Sequence, residues 1–233
     1  MKDLAIVFDF DDTLVHTRIN YVNSIKWVNT KYLPKLSFKH FLEGFEKSME
    51  ENLNHLLDSE TKNDIHPFHP LIFIKNFYKF LDKNSVSYDK KLIEKKVLSF
   101  LADVQIRGDS LKVLNKLEKF ELYLITVGDE KWQKSRIHKT GFEQFFNKMF
   151  FVIEKDDVLK GLKKEYKTVI MIGDSLKSDI LAANNSGAIA IHLTGGDTWS
   201  YRHSDDAKPD HVIDNLDEVV EIVNKYSFKP LTT

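Results

Sequence analysis

Residues Leu4–Leu14, LAIVFDFDDTL, constrain this chain more than any other stretch. Five apolar residues, Leu4 to Phe8, run directly into Asp9, Asp11, Asp12 and Thr13. A short apolar run without alternation reads as a strand buried on both faces, as in a parallel sheet. Asp9 and Asp11 stand two apart where that strand ends, so their side chains share a side. Carboxylates that close repel each other unless a cation or a shared proton offsets the charge. The stretch therefore predicts an Mg²⁺-type site containing a nucleophile.

The rest of the chain is read as support for that site. After Thr13 the pattern turns helical. Tyr21, Ile25, Val28 and Tyr32 recur at helical spacing until Pro34, and Phe41, Phe45, Met49, Leu53 and Leu56 form a second stripe. Pro70 suits the first position of a third helix reaching Leu81, and Asp89 the N-cap of a fourth carrying Ile93, Val97, Phe100 and Val104. No strand is expected from residue 15 to 105. From Leu111 on, helices alternate with the apolar runs Leu122–Thr126, Met149–Ile153, Val169–Ile172, Ala188–Leu193 and His211–Ile213. Asp129 is read as an N-cap, Gly141 and Gly187 as helix stops, and a helix is expected from about Ser178. The alternation predicts an α/β fold, a Rossmann-like doubly wound parallel sheet. Residues 1–14 and 106–233 would form this core, and 15–105 an inserted all-helical cap, with Gly108 as a hinge near the return crossing.

In such a sheet, ligands bind at the carboxyl ends of the strands. Asp9 and Asp11, Thr126, Lys155 and Asp174 all fall there and should line one crevice. Phosphoryl transfer suits the set, because its catalysis is mostly positioning and charge stabilisation. Asp9 would attack phosphorus, with Mg²⁺ held by Asp9 and Asp174 reducing the repulsion between the two anions. Thr126 would donate to a phosphoryl oxygen, and Lys155 would add a fixed charge, although Lys148 and Lys160 lie near enough to take its place. Asp11 would exchange the proton of the leaving oxygen and of the attacking water.

These residues resemble the motifs of the haloacid dehalogenase superfamily, and within it the capped phosphatases. Asp9-Phe10-Asp11-Asp12-Thr13-Leu14 resembles the first motif, Thr126 in LITVGDE the second, Lys155 in VIEKDD the third, and Gly173-Asp174-Ser175 through Asp179 the fourth. The resemblance implies a phosphoaspartyl intermediate on Asp9, acid–base catalysis by Asp11, and Mg²⁺ held by Asp9, the Asp11 carbonyl and Asp174. Asp179, Thr13 and Val127 would be supporting positions, Asp179 as an outer ligand or by orienting Lys155. The family often has Gly where this chain has Asp12. The presence of Asp11 argues against a dehalogenase, since those members resemble the pattern without the second aspartate.

The expected activity is hydrolysis of a small-molecule phosphate monoester. The rivals are a phosphomutase with the same aspartates and a non-catalytic interaction module of this fold. Substrate-contacting residues within 15–105 are not assignable from the sequence, nor is the oligomeric state. The formal net charge of −1 gives no argument for nucleic acid or an anionic membrane. With no cysteine, no membrane-length apolar run and no visible signal peptide, a cytoplasmic protein is expected. His66 and His69 lack further zinc ligands nearby and are read as loop residues. Lys160, Lys163, Lys164 and Lys167 are read as a solvated helix face, and Gly195, Gly196, Asp197, Trp199, Tyr201 and Arg202 as a loop where Arg202 could meet an anion.

Overall fold

A computed structural model describes residues 1–58, 67–194 and 204–227, over 52–58 by the backbone alone. In chain order the first elements are β1 (Lys2–Phe8), β2 (Val15–His16), α1 (Arg18–Tyr32), α2 (Phe38–Asp58), α3 (Pro70–Lys83) and α4 (Lys90–Leu101). Then come β3 (Gln105–Ile106), α5 (Ser110–Leu117), β4 (Glu121–Val127), α6 (Glu130–Thr140), β5 (Lys148–Val152) and α7 (Asp156–Glu165). The last are β6 (Tyr166–Gly173), a π-turn (Leu176–Ile180), α8 (Leu181–Ser186), β7 (Ile189–Leu193), β8 (His211–Ile213) and α9 (Val219–Ser227). Two compact units result: residues 1–16 with 105 onward, and residues 17–104.

The first unit is built on a six-stranded sheet in the order β5-β4-β1-β6-β7-β8, with every pairing parallel. Numbered along this sheet alone the order is 3-2-1-4-5-6, the doubly wound arrangement, whose direction reverses between β1 and β6. Both faces are covered, which is why β1 shows no alternation in sequence. Ala5, Val7, Tyr123, Val169 and Met171 pack with Leu159 and Leu162 of α7 and with Ala182 and Ala183 of α8. Their neighbours in register, Leu4, Ile6, Phe8, Leu122, Leu124, Ile170 and Ile172, point the other way and are equally buried. Gly141 and Gly187 end α6 and α8 in the left-handed conformation, at φ 69° and 70°.

The helical unit has an aromatic centre. Phe45 stacks on Phe77 with centroids 4.4 Å apart and meets Phe73 edge-on at 5.5 Å, and Phe41 packs on Phe80 at 4.9 Å. Gly44 lets the Phe80 ring approach, since a Cβ there would lie 3.2 Å from it. Asp89 and His69 both act as N-caps, accepting from the backbone N–H groups of Leu92 and Leu71. Capping thus accounts for His69, with Pro70 behind it at the first helical position. His66 and the 195–202 loop residues fall outside the described residues.

Two expectations need correction. The segment 15–105 is not free of strand: Val15–His16 pairs antiparallel with Gln105–Ile106, which puts 15, 16 and 105 with the sheet unit. A two-residue ribbon is too short to show an alternation of period two. The helix expected from about Ser178 begins earlier, as a π-turn from Leu176. Among the described residues no helix is long and apolar enough to cross a membrane.

Candidate active site

Asp9 and Asp174 leave β1 and β6 on either side of the point where the sheet reverses. The Asp9 N–H still donates to the Ile172 carbonyl at 2.9 Å, which carries the β1–β6 ladder one residue into the site. The chain then turns sharply, with the Phe10 carbonyl accepting from the N–H groups of Leu14 and Val15. Asp12 sits in this turn at φ 63°. Glycine reaches that region without strain, and Asp is among the few other residues that tolerate it, so one conformation explains both choices. Arg107 secures the turn from the return crossing, donating to the carbonyls of Thr13 at 2.9 Å and Asp12 at 2.7 Å.

Lys155 stands at the N-cap of α7, three residues beyond the end of β5. Its Nζ lies 2.5 Å from both Asp9 Oδ1 and Asp179 Oδ1, and its side chain is 1% exposed. Lys148 and Lys160 are exposed. The other Asp179 oxygen accepts from the Ser175 N–H at 2.9 Å. The π-turn brings Asp179 against Gly173, where a Cβ would fall on the Asp179 carboxylate. Gly173→Ala is accordingly expected to displace Asp179 and cost about 1–3 kcal/mol, read as a lower urea midpoint with an unchanged m-value.

Thr126 lies within β4 rather than beyond it, fully buried, its Oγ1 accepting from Gln133 Nε2 at 2.9 Å. Asp174 Oδ1 accepts from Thr13 Oγ1 at 3.5 Å, and the Asp174 carbonyl lies 3.0 Å from His192 Nε2. Asp11 is the partly exposed carboxylate of the group, bonded to Arg136 at 2.5 Å and Gln133 at 2.6 Å. Sequence reading missed Arg107, Gln133, Arg136 and His192. One signal existed for Gln133 and Arg136: α6, EKWQKSRIHKT, has a single aliphatic residue yet contacts the buried sheet, so it has to bury polar groups.

Electrostatics follow from that crowding. Burial is the largest influence on Asp9 and pushes its carboxyl well above the usual range. Lys155 opposes this, and Asp179, Asp174 and Asp11 add to it. On Lys155 burial acts downward but is outweighed by Asp179 and Asp9, so the ammonium pKa is raised and the charge retained. Asp9, Asp174 and Asp179 present carboxylate oxygens within 4.8 Å of one another. Fully ionised, four carboxylates (these three and Asp11) against Lys155 and Arg136 leave two negative charges. Hard oxygen donors with that excess suit a divalent cation that prefers oxygen.

A doubly wound sheet with an acid-rich crevice at its reversal point defines the class of α/β proteins that bind a ligand at the strand ends. The family model for haloacid dehalogenase-like hydrolases matches residues 4–187, and the chain belongs to that family. Comparison with curated proteins found no match. Among solved structures it is similar to a putative HAD-hydrolase, YfnB, from Bacillus subtilis bound to magnesium. The two share 18% identity at a TM-score of 0.67, over 96% of this chain and 100% of that one. It is also similar to a HAD phosphatase from Thermococcus onnurineus (17%, TM-score 0.57, 96% and 98%). A third likeness is to an L-2-haloacid dehalogenase from Xanthobacter autotrophicus with chloropropionic acid covalently bound (13%, TM-score 0.68, 96% and 99%). At these identities the likeness is one of fold.

Proposed function

We propose that this hydrolase is a Mg²⁺-dependent phosphatase that cleaves small-molecule phosphate monoesters through a phosphoaspartyl intermediate on Asp9. The observation that carries the reading is Asp11, a second carboxylate two residues from Asp9 and more open to solvent than Asp9 is. Displacing a halide needs no proton on the leaving group. Displacing an alkoxide from phosphorus does, and a positioned carboxyl is the means.

Asp9 and Asp174, with the Asp11 carbonyl, would hold Mg²⁺, which when bound offsets the anionic charge of site and phosphate together. Lys155 fixes the Asp9 carboxylate by its 2.5 Å contact and adds a positive charge beside the entering phosphoryl oxygens. Thr126 Oγ1 and the Val127 N–H, at the end of β4, would donate to those oxygens. In the first step an Asp9 oxygen bonds to phosphorus, the bond to the leaving oxygen breaks, and the Asp11 proton passes to that oxygen. In the second, Asp11 takes a proton from water, which attacks phosphorus and frees Asp9. These residues recognise only the phosphoryl group and do not by themselves choose among esters.

Phosphate release from a panel of alkyl and aryl monoesters, with Mg²⁺ and with EDTA, tests the reading, with halide release from 2-chloropropionate as the control. Mg²⁺-dependent phosphate release without halide release is expected. Halide release alone, or phosphate turnover unaffected by EDTA, overturns it.

A further inference from the structure

Resting on the phosphatase reading, we propose that Gln133 and Arg136 are positioning residues that hold the Asp11 carboxyl in the orientation from which it serves the leaving oxygen. Both residues are 3% exposed and lie one helical turn apart on α6. Arg136 Nη1 donates to Asp11 Oδ1 at 2.5 Å, and Gln133 Nε2 donates to Asp11 Oδ2 at 2.6 Å. The orientation of the Gln133 amide is settled by its neighbours. Its Oε1 faces Arg136 Nη1 at 2.9 Å, which can only donate. The Arg136 guanidinium also packs 5.3 Å from the centroid of the Phe10 ring, so its place is fixed from two sides.

Neither a guanidinium nor an amide Nε2 can accept a hydrogen bond, so each Asp11 oxygen faces a donor, and the two together fix the plane of the carboxyl. Gln133 Nε2 is anchored in turn by Thr126 Oγ1 at 2.9 Å and the Val127 carbonyl at 3.2 Å. Arg136 and Gln133 thus tie the orientation of the acid–base carboxyl to the end of β4.

The test is the dependence of kcat/KM on leaving-group basicity, which reports the step up to formation of the phosphoaspartate. Wild type, Arg136→Met, Arg136→Lys and Gln133→Met are compared on an alkyl phosphate and on 2,4-dinitrophenyl phosphate, whose leaving group needs no proton. Arg136→Met is expected to lose about 100-fold on the alkyl ester and less than about 3-fold on the dinitrophenyl ester, with Arg136→Lys recovering part of the loss. Gln133→Met, nearly isosteric, is expected to lose less than Arg136→Met with the same selectivity, and stands in if Arg136→Met does not fold. Equal losses on both esters, or none, overturn the assignment while leaving the phosphatase reading intact. A wild type that releases phosphate from neither ester overturns both.

Discussion

Asp9→Asn is expected to abolish turnover, lowering kcat on the order of 10⁴-fold or more, while leaving the apo protein more stable at neutral pH. The catalytic loss follows because an amide oxygen is a poor nucleophile and the amide replaces the anion that Lys155 holds at 2.5 Å. The stability gain follows from the sign of the Asp9 shift. Its folded pKa lies above the reference 3.8, chiefly through burial. Above that reference the native state then binds more protons than the unfolded chain, so stability falls as pH rises through the folded value. Asn has no proton to lose and removes that decline. Urea denaturation in EDTA between about pH 5 and 9 should show the variant's midpoint above wild type, most clearly at the alkaline end. Residual turnover near the wild-type level would end the case for Asp9 as nucleophile, and for catalysis by this site as opposed to an interaction role. A bisphosphate requirement in wild type would turn the reading toward a mutase.

The second large effect is expected at Lys155. Its ammonium stands between Asp9 and Asp179, whose nearest oxygens it holds at 2.5 Å each. Lys155→Met leaves Asp9, Asp174 and Asp179 crowded within 4.8 Å without that charge. Removing one partner of a buried ionic group typically costs about 3–5 kcal/mol, because the remaining charge is left desolvated. Denaturation in EDTA should show a loss of that size at neutral pH. Part of it should return on acidification, as the carboxyls are neutralised, and part on adding Mg²⁺. A variant as stable as wild type in EDTA would mean that the carboxylates share protons among themselves and that Lys155 is not their counter-charge. Asp9→Asn and Lys155→Met are in contact and are not expected to be additive.

Much of the architecture is legible along the chain because it is encoded locally. Leu4–Phe8 announces a strand covered on both faces. Asp89 and Asp129 announce helix starts, and Gly141 and Gly187 announce stops, since caps and left-handed turns depend on residues within one helical turn. The positions of Asp9, Thr126, Lys155 and Asp174 at or near strand ends follow from the same local signals, with errors of a residue or two where Thr126 falls inside β4 and where the π-turn replaces regular helix. The ribbon of Val15–His16 with Gln105–Ile106 was invisible, as four residues carry no periodicity.

What the sequence determined, then, is the order of elements and which carboxylates stand at the ends of β1 and β6, because burial pattern and turn chemistry are properties of neighbouring residues. What the tertiary structure alone decided is which partners those carboxylates have. Lys155 rather than Lys148 or Lys160 enters the cluster because α7 begins at the floor of the site with its N-cap side chain turned inward, beside Asp9 from 146 positions earlier. Arg136 and Gln133 reach Asp11 across 125 and 122 positions because β1 and β4 are adjacent in the sheet and α6 follows β4 directly. Such pairings are set by strand order, and strand order arises only when the sheet is assembled.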